Sequence, residues 1–380
     1  MRVMFACGGT GGHINPAIAV AKFIKERHPE AEICFVGASG GMEARLVPEA
    51  GYKIKTIDIE GFQRKASFGA ARRNVRVLYK TLNALKAADG IIRDFSPDIV
   101  IGTGGFVSFP VIYRASRSGI PTLIHEANAF PGLTSRVLSK YASRVLVNFA
   151  ESRRFFKNTD IKVVGMPIRE DILFKDREQA RRELKLTDKP LFVSFFGSLG
   201  ARDMNNIMLE FIKTEMKDPG RFHHIHATGR FGFEWMPEKL RENGYSPEKF
   251  PFIGIREYIS DMPRVLAAAD LVMCRAGAST LCEISALGKP AIIIPSPNVT
   301  ANHQEINANV LKNAGAAEVL LEKDATPDKL YNLVAKLLES PERRAAMSEK
   351  LGGMAILDAT ARIYNEIISI LKNRNHTRIQ

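Results

Sequence analysis

The run Gly8-Gly9-Thr10-Gly11-Gly12-His13 follows a short apolar segment and precedes an apparent helix start at Asn15-Pro16. Glycines at this density let backbone amides approach a ligand, and a following helix offers free N–H groups and the positive end of its dipole. Such a turn suits a phosphate or a developing negative charge, and it equally suits a plain strand-to-helix connection. His13 adds an imidazole, which titrates near neutrality and can move a proton. A second glycine turn, Gly102-Thr103-Gly104-Gly105-Phe106-Val107-Ser108, and the strand end His125-Glu126-Ala127-Asn128 bring further polar residues to the same edge.

The second half repeats the arrangement with Phe196-Gly197-Ser198-Leu199-Gly200-Ala201-Arg202. In Arg275-Ala276-Gly277-Ala278-Ser279-Thr280-Leu281-Cys282-Glu283, small residues open a helix whose free amides suit a diphosphate. Glu283 is placed either to accept from a ribose hydroxyl or to serve as a carboxylate favoured by the helix dipole. Asn302, His303, Gln304 and Asn307 form an expected polar loop, where a buried amide reads sugar hydroxyls by donating and accepting.

The elements that must position these residues follow from apolar patterning. Met1–Cys7 reads as a strand, Pro16–His28 as a helix capped by Asn15 with Pro16 at its first position, and Ala31–Val36 as a second strand. This is the repeating unit of a parallel sheet covered on both faces. Strands at 97–101, 121–124, 145–147 and 162–164 continue the first half, and strands at 190–195, 223–228, 252–255, 271–273 and 291–295 make the second, the last of them ending the sheet. Gly165-Met166-Pro167-Ile168-Arg169 reads as a linker. Gly352-Gly353 is expected to interrupt the C-terminal helices, after which Ile356, Ala359, Ile363, Ile367 and Ile370 recur at helical spacing on a segment that crosses back to the first half.

A length of 380 residues favours two domains. No apolar run approaches the roughly 20 residues that span a bilayer, and no leader region precedes the first strand, so cytosolic residence is expected. Four cysteines without metal-ligand spacing are expected to be reduced and mostly buried. Nicotinamide chemistry is disfavoured because the first turn lacks Gly-x-Gly-x-x-Gly and the second strand ends in Gly37-Ala38-Ser39 rather than an acidic residue. The net charge of +13 fits nucleic acid, anionic lipid or phosphorylated substrates, and no nucleic-acid-binding signature accompanies it.

The segment 61–93 interleaves Phe62, Phe68, Val75, Leu78, Tyr79 and Leu82 with Arg64, Lys65, Arg72, Arg73, Arg76, Lys80 and Lys86. It reads either as a helix with a solvated basic face or as a docking surface for an anionic membrane, in which Phe68, Arg72, Arg73, Val75, Arg76, Leu78, Tyr79 and Lys80 make the contact.

Gly8 to Ala17, His125 to Asn128, Gly197 to Arg202, Cys274 to Thr280 and His303 to Ala308, in that order, resemble the bacterial MurG family over the whole chain. Members transfer N-acetylglucosamine from UDP-N-acetylglucosamine to lipid I, giving lipid II for the cell wall. The resemblance implies an α/β fold of GT-B architecture, two Rossmann-like domains facing across a cleft. An acceptor- and membrane-side domain would comprise 1–164 and 353–380, and a donor-binding domain 165–352. It further implies that Thr10, Gly11, Gly12, Asn128, Arg169, Ser198, Ile259, Ala278, Ser279, Thr280, Leu281, Cys282, Glu283 and Gln304 bind the donor. Ile259 would border uracil through its backbone, Glu283 would take the ribose, Ser198 and the turn before Glu283 the diphosphate, and Asn128 and Gln304 the sugar. Met166, Phe196, Ala127 and Phe106 depart from residues common in the family.

The implied reaction is an inverting single displacement with no cofactor, since no Asp-x-Asp cluster occurs to hold a metal. His13 is the candidate base that deprotonates the acceptor hydroxyl, with Glu126 second. The implied partners are the nucleotide sugar, lipid I, the cytoplasmic face of the cell membrane and other cell-wall synthesis proteins. A diacylglycerol glycosyltransferase, a UDP-N-acetylglucosamine 2-epimerase and a non-catalytic nucleotide-sugar-binding regulator are the alternatives.

Overall fold

The computed structural model describes residues 1–61, 68–156, 160–173 and 176–377. Phe62, Arg64 and Lys65, singled out above, lie outside them, as do the side chains of 68–76. The chain forms two compact units, Met1–Ile168 with Ile356–Gln380, and Arg169–Ala355.

In the first unit the strands are β1 (Arg2–Cys7), β2 (Glu32–Ala38), β3 (Lys53–Ile57), β4 (Ile99–Gly104), β5 (Thr122–Glu126), β6 (Arg144–Val147) and β7 (Ile161–Val163). They make one sheet in the order β3-β2-β1-β4-β5-β6-β7, every pair parallel. Strand residues alternate between two cores. Val3, Phe5 and Cys7 pack with Ile14, Ala17 and Ala21 of the helix Gly11–Arg27 and with Ile363 and Ile367 of the helix Ala359–Thr377. Met4 and Ala6 face Ala84, Ala88 and Val111 from the helices Phe68–Phe95 and Ser108–Arg117. A sheet covered on both faces buries its strands almost completely, which is why they read as continuous apolar runs.

The second unit holds β8 (Leu191–Phe195), β9 (His223–Ala227), β10 (Ile253–Arg256), β11 (Leu271–Cys274), β12 (Ala291–Ile293) and β13 (Glu318–Val319), in the order β10-β9-β8-β11-β12-β13 and again parallel. The strand order reverses beside β1 and β4 in one sheet and beside β8 and β11 in the other. In open α/β sheets ligands bind outside the carboxyl ends of strands at such switch points. All four glycine-containing turns singled out in the sequence leave these four strands.

Four local expectations are corrected. The first helix begins at Gly11 with Thr10 as its cap, so Pro16 lies inside it rather than at its first position. Pro16 has no amide to donate, so the carbonyl of Gly12 in the first turn lacks its intrahelical partner. The segment from His303 is helical (His303–Asn313), entered through Ala301 and Asn302 at positive φ, so Gln304 and Asn307 sit on a helix rather than a loop. A further edge strand, β13, follows β12. The helix Pro341–Met354 runs unbroken through the exposed Gly352 and Gly353, and the break comes after Met354. Buried Met347 and Leu351 anchor that helix against glycine's cost of about 1 kcal/mol per residue.

The chain leaves and re-enters the first unit side by side. At Gly165, φ is +79°, and a Cβ there would lie 2.7 Å from that of Ile356, so glycine alone fits where the two crossings pack.

Candidate active site

In the first unit the turn Gly8–Thr10 carries the chain from β1 into the helix Gly11–Arg27. His13 lies on the first turn of this helix and folds back, so that its Nδ1 is 2.9 Å from the carbonyl oxygen of Gly8. A carbonyl can only accept, so Nδ1 carries the proton in this pair and Nε2 keeps a free lone pair. The turn after β4 holds the histidine from the other side. Thr103 Oγ1 donates to the His13 carbonyl at 2.7 Å, and a Cβ on Gly104 would lie 2.5 Å from the imidazole. The half-buried ring is thus oriented as a proton acceptor at Nε2.

Glu126 and His125 are differently employed. One carboxylate oxygen of Glu126 accepts from the backbone N–H of Asn128 at 2.9 Å and from its side-chain amide at 3.2 Å, and the other accepts from the Gly132 N–H at 3.1 Å. Only 5% exposed, Glu126 holds the loop together and orients Asn128, which leaves it poorly placed to take a proton from a substrate. His125 is buried and donates from Nε2 to the Gly165 carbonyl at 2.8 Å; burial pushes its pKa down, so it stays neutral.

In the second unit a cavity of about 520 Å³ opens at the switch point, lined among others by Gly197, Gly277, Thr280, Ser296 and Gln304. Residues at two helix starts contribute to its lining. The helix Arg202–Glu215 follows the Gly197–Gly200 turn, and the helix Ala278–Ala286 follows Gly277; neither start has a side-chain cap. Uncapped amides at a helix start are ready donors for an anion. Ser198 is exposed on the first turn, which is pinned where the Arg230 N–H donates to its carbonyl at 3.1 Å.

Gln304 lines the cavity with its amide already oriented. Its Oε1 accepts from the N–H groups of Ser296 (2.9 Å) and Ala276 (3.3 Å), so the Nε2 donor remains for a ligand. Of the donating and accepting amide expected from the sequence, only the donating half is available. Asn307 is fully buried and donates to the Ala276 carbonyl at 3.2 Å, supporting the turn instead of meeting a ligand.

Glu283 lies on the second turn of the helix Ala278–Ala286 and is half-buried, and loss of solvent raises its pKa to about 7. Arg169 lies close enough to oppose that rise while pairing with Asp171 at 3.1 Å through Nε. Ile259 is buried between β10 and the helix Met262–Ala268, and Leu281 and Ala278 are buried in the core. These three offer a ligand their backbone rather than their side chains. Ser279, Thr280 and Cys282 are half-buried on the same helix.

A Ser194-His224-Glu215 chain, with contacts of 2.9 and 2.8 Å, has the look of a nucleophile relay, yet all three side chains are buried in the second core. Burial drives the Glu215 pKa well above the usual carboxylate value and that of His224 down to about 3, and it seals the chain from solvent. The thiols of Cys7 and Cys274, pushed up to about 12 by burial, are equally inert. Among the described residues no three His, Cys, Asp or Glu side chains are grouped to hold a metal ion.

On the helix Phe68–Phe95, Leu78, Tyr79 and Leu82 are exposed by 55%, 67% and 54%. Lys80, grouped with them from the sequence, is turned to Asp58 (2.8 Å) and Glu60 (2.7 Å) and so is already neutralised. No described helix is long and apolar enough to cross a membrane.

Residues 3–147 match the glycosyltransferase family 28 N-terminal domain and residues 192–363 its C-terminal domain. A curated relative from Acetivibrio thermocellus, the UDP-N-acetylglucosamine--N-acetylmuramyl-(pentapeptide) pyrophosphoryl-undecaprenol N-acetylglucosamine transferase, is 46% identical over 98% of this chain and 99% of its own. The enzyme of the same description from a Thermoanaerobacter species is 45% identical over 97% of this chain and all of its own. The crystal structure of Acinetobacter baumannii MurG is 30% identical and superposes with a TM-score of 0.75, covering 97% of this chain and 99% of that one. A Listeria monocytogenes structure described as a putative UDP-N-acetylglucosamine 2-epimerase has a TM-score of 0.67 at 16% identity, covering 98% of this chain and 97% of its own, a likeness of fold alone.

Proposed function

The chain belongs to the MurG group of glycosyltransferase family 28, and from that premise we infer that it transfers N-acetylglucosamine from UDP-N-acetylglucosamine to lipid I, the lipid-linked muramoyl-pentapeptide of peptidoglycan synthesis. The observation that carries this is near full-length identity of 46% to a transferase of that description, joined to donor-suited turns at both switch points.

The donor belongs to the second unit. The starts of the helices Arg202–Glu215 and Ala278–Ala286, with Ser198, meet the diphosphate; Glu283 accepts from the ribose hydroxyls; the backbone at Ile259 borders the uracil, with Arg169 nearby; Gln304 Nε2 donates to a sugar oxygen. These donors face the diphosphate as it takes on charge when the glycosidic bond breaks, the kind of fixed dipole that stabilises a leaving group. Thr10, Gly11, Gly12 and Asn128, all in the first unit, are the further residues that the family resemblance assigns to donor binding.

The muramoyl 4-hydroxyl attacks the anomeric carbon from the face opposite UDP. His13 Nε2 takes the hydroxyl proton as the new bond forms, and the configuration inverts from α to β. Glu126 is set aside as base because both its oxygens serve the loop. The exposed Leu78, Tyr79 and Leu82, on a helix with Arg72, Arg73 and Arg76 in its sequence, support peripheral docking on an anionic membrane.

UDP release from UDP-N-acetylglucosamine is expected only when a lipid I analogue is present, and faster in anionic vesicles at low salt than at high salt. Leu78→Ser with Tyr79→Ser should reduce the vesicle enhancement and leave turnover of a soluble acceptor unchanged. Conversion of the donor without acceptor would favour an epimerase, and equal rates on neutral vesicles would remove the membrane claim.

A further inference from the structure

Glu43, unremarkable in the sequence, is the first residue of the helix Glu43–Glu49 and is fully buried. Its Oε1 accepts from the Ala38 N–H at 2.8 Å, and its Oε2 accepts from the Gly9 N–H at 3.1 Å. Three glycines from separate parts of the chain make room for it. A Cβ on Gly8 would fall 2.3 Å from Oε1, one on Gly41 2.4 Å from Oε2, and one on Gly37 2.4 Å from Cγ. The two backbone donors give this fully buried carboxyl group the partners without which its burial would be costly.

The bond to Gly9 fixes the turn whose preceding residue, Gly8, presents its carbonyl to His13 Nδ1. The turn after β4 closes the other side, for a Cβ on Gly105 would lie 2.3 Å from that same carbonyl oxygen. The Gly8 carbonyl is therefore held between a buried carboxylate and a packed glycine, and it has little freedom to turn away from the imidazole.

We propose that Glu43 is a positioning residue for the transfer reaction: by clamping the Gly8–Gly9 peptide from behind, it keeps the carbonyl that holds His13 with its proton on Nδ1 and its lone pair on Nε2. The inference rests on His13 being the base. It explains why a turn rich in glycine, free to take many conformations when unfolded, presents one tautomer of one side chain.

The test is Glu43→Gln in the full chain, with Glu43→Asp as a second variant. Glutamine keeps the volume, but one of its two ends becomes an NH2 that must face a backbone N–H, donor against donor, so one of the two bonds is released. Aspartate keeps the charge and is too short to reach both. Each is expected to lower kcat about 10- to 100-fold with KM for UDP-N-acetylglucosamine within about 2-fold, a split pointing to a loss in the chemical step rather than in donor binding. In 15N spectra, His13 should be the Nδ1–H tautomer in the unaltered protein and a mixture of tautomers in the variants. Folded variants with unchanged kcat and tautomer would overturn the proposal. So would loss of donor binding and of cooperative melting in both variants, which would make Glu43 a scaffold residue. If His13→Ala stays active, the reading of the base fails; if it is inactive while Glu43→Gln is fully active, only the role of Glu43 fails.

Discussion

Replacing His13 by alanine or glutamine is expected to lower kcat by about 10²- to 10⁴-fold, the usual contribution of a positioned general base, while the affinity for UDP-N-acetylglucosamine stays within about 2-fold. The expectation comes from geometry. With Nδ1 committed to the Gly8 carbonyl at 2.9 Å, Nε2 is the atom left to accept a proton. Glutamine places an amide nitrogen near that position but offers no lone pair for a proton, so it should be as damaging as alanine. Retained turnover in both variants would move the role to another group, and Glu126 would then have to give up bonds to Asn128 and Gly132 to take it.

The second large effect concerns Glu283. Glu283→Gln is expected to weaken UDP-N-acetylglucosamine binding about 10- to 100-fold, since hydrogen bonds to a charged partner contribute about 1.5–3 kcal/mol. The pH dependence carries the sign. Burial raises the Glu283 pKa from 4.5 to about 7, and ribose hydroxyls donate best to the ionised form. Donor binding should therefore tighten as pH rises through about 7 and release a proton below it, measurable by calorimetry in buffers of different ionisation enthalpy. The ligand-free protein should show the opposite trend. A carboxyl with a raised folded pKa contributes stability that is fully present below about pH 4.5 and lost as pH rises through about 7, here roughly 3 kcal/mol in all. Glu283→Gln should remove that slope, leaving the variant more stable than the parent at pH 8 in thermal melts and weaker in binding. Unchanged affinity and an unchanged melting profile would remove Glu283 from the site.

The sequence made the two halves legible because each repeats a buried strand, a glycine turn and a helix, and because fully covered parallel strands are continuous apolar runs. Their parallel pairing and matching strand order place Gly8, Gly104, Gly197 and Gly277 beside the two switch points. What escaped were elements without that signature. The edge strand β3 (Lys-Ile-Lys-Thr-Ile) alternates and is partly exposed, and β13 is two residues long. The start of the first helix differs from the expectation because proline usually marks a helix beginning, whereas here Thr10 is the cap residue and Gly11 and Gly12 already belong to the helix.

At the site, residue types were more legible than the state of their atoms. Gln304 is expected from the sequence to read a sugar with both ends of its amide, but the backbone amides of Ala276 and Ser296 occupy its oxygen. Glu126 carries the chemistry of a base, yet the loop it closes uses both its oxygens. Lys80 carries the charge of a lipid contact, and Asp58 and Glu60 take it up. Glu43 could not be found from spacing at all, because its pocket is assembled from Gly8, Gly37 and Gly41 only when β1, β2 and the following turn come together.

This chain is expected to move N-acetylglucosamine from an α-linked nucleotide donor to a muramoyl 4-hydroxyl in one displacement. The check is to isolate the product formed from 13C-labelled UDP-N-acetylglucosamine and a lipid I analogue and to read the anomeric coupling constant and the linkage by NMR. A β-linked disaccharide joined at the muramoyl 4-oxygen, formed by the unaltered chain and not by His13→Ala, is the expected result. An α linkage, attachment elsewhere, or no disaccharide despite bound donor would contradict it.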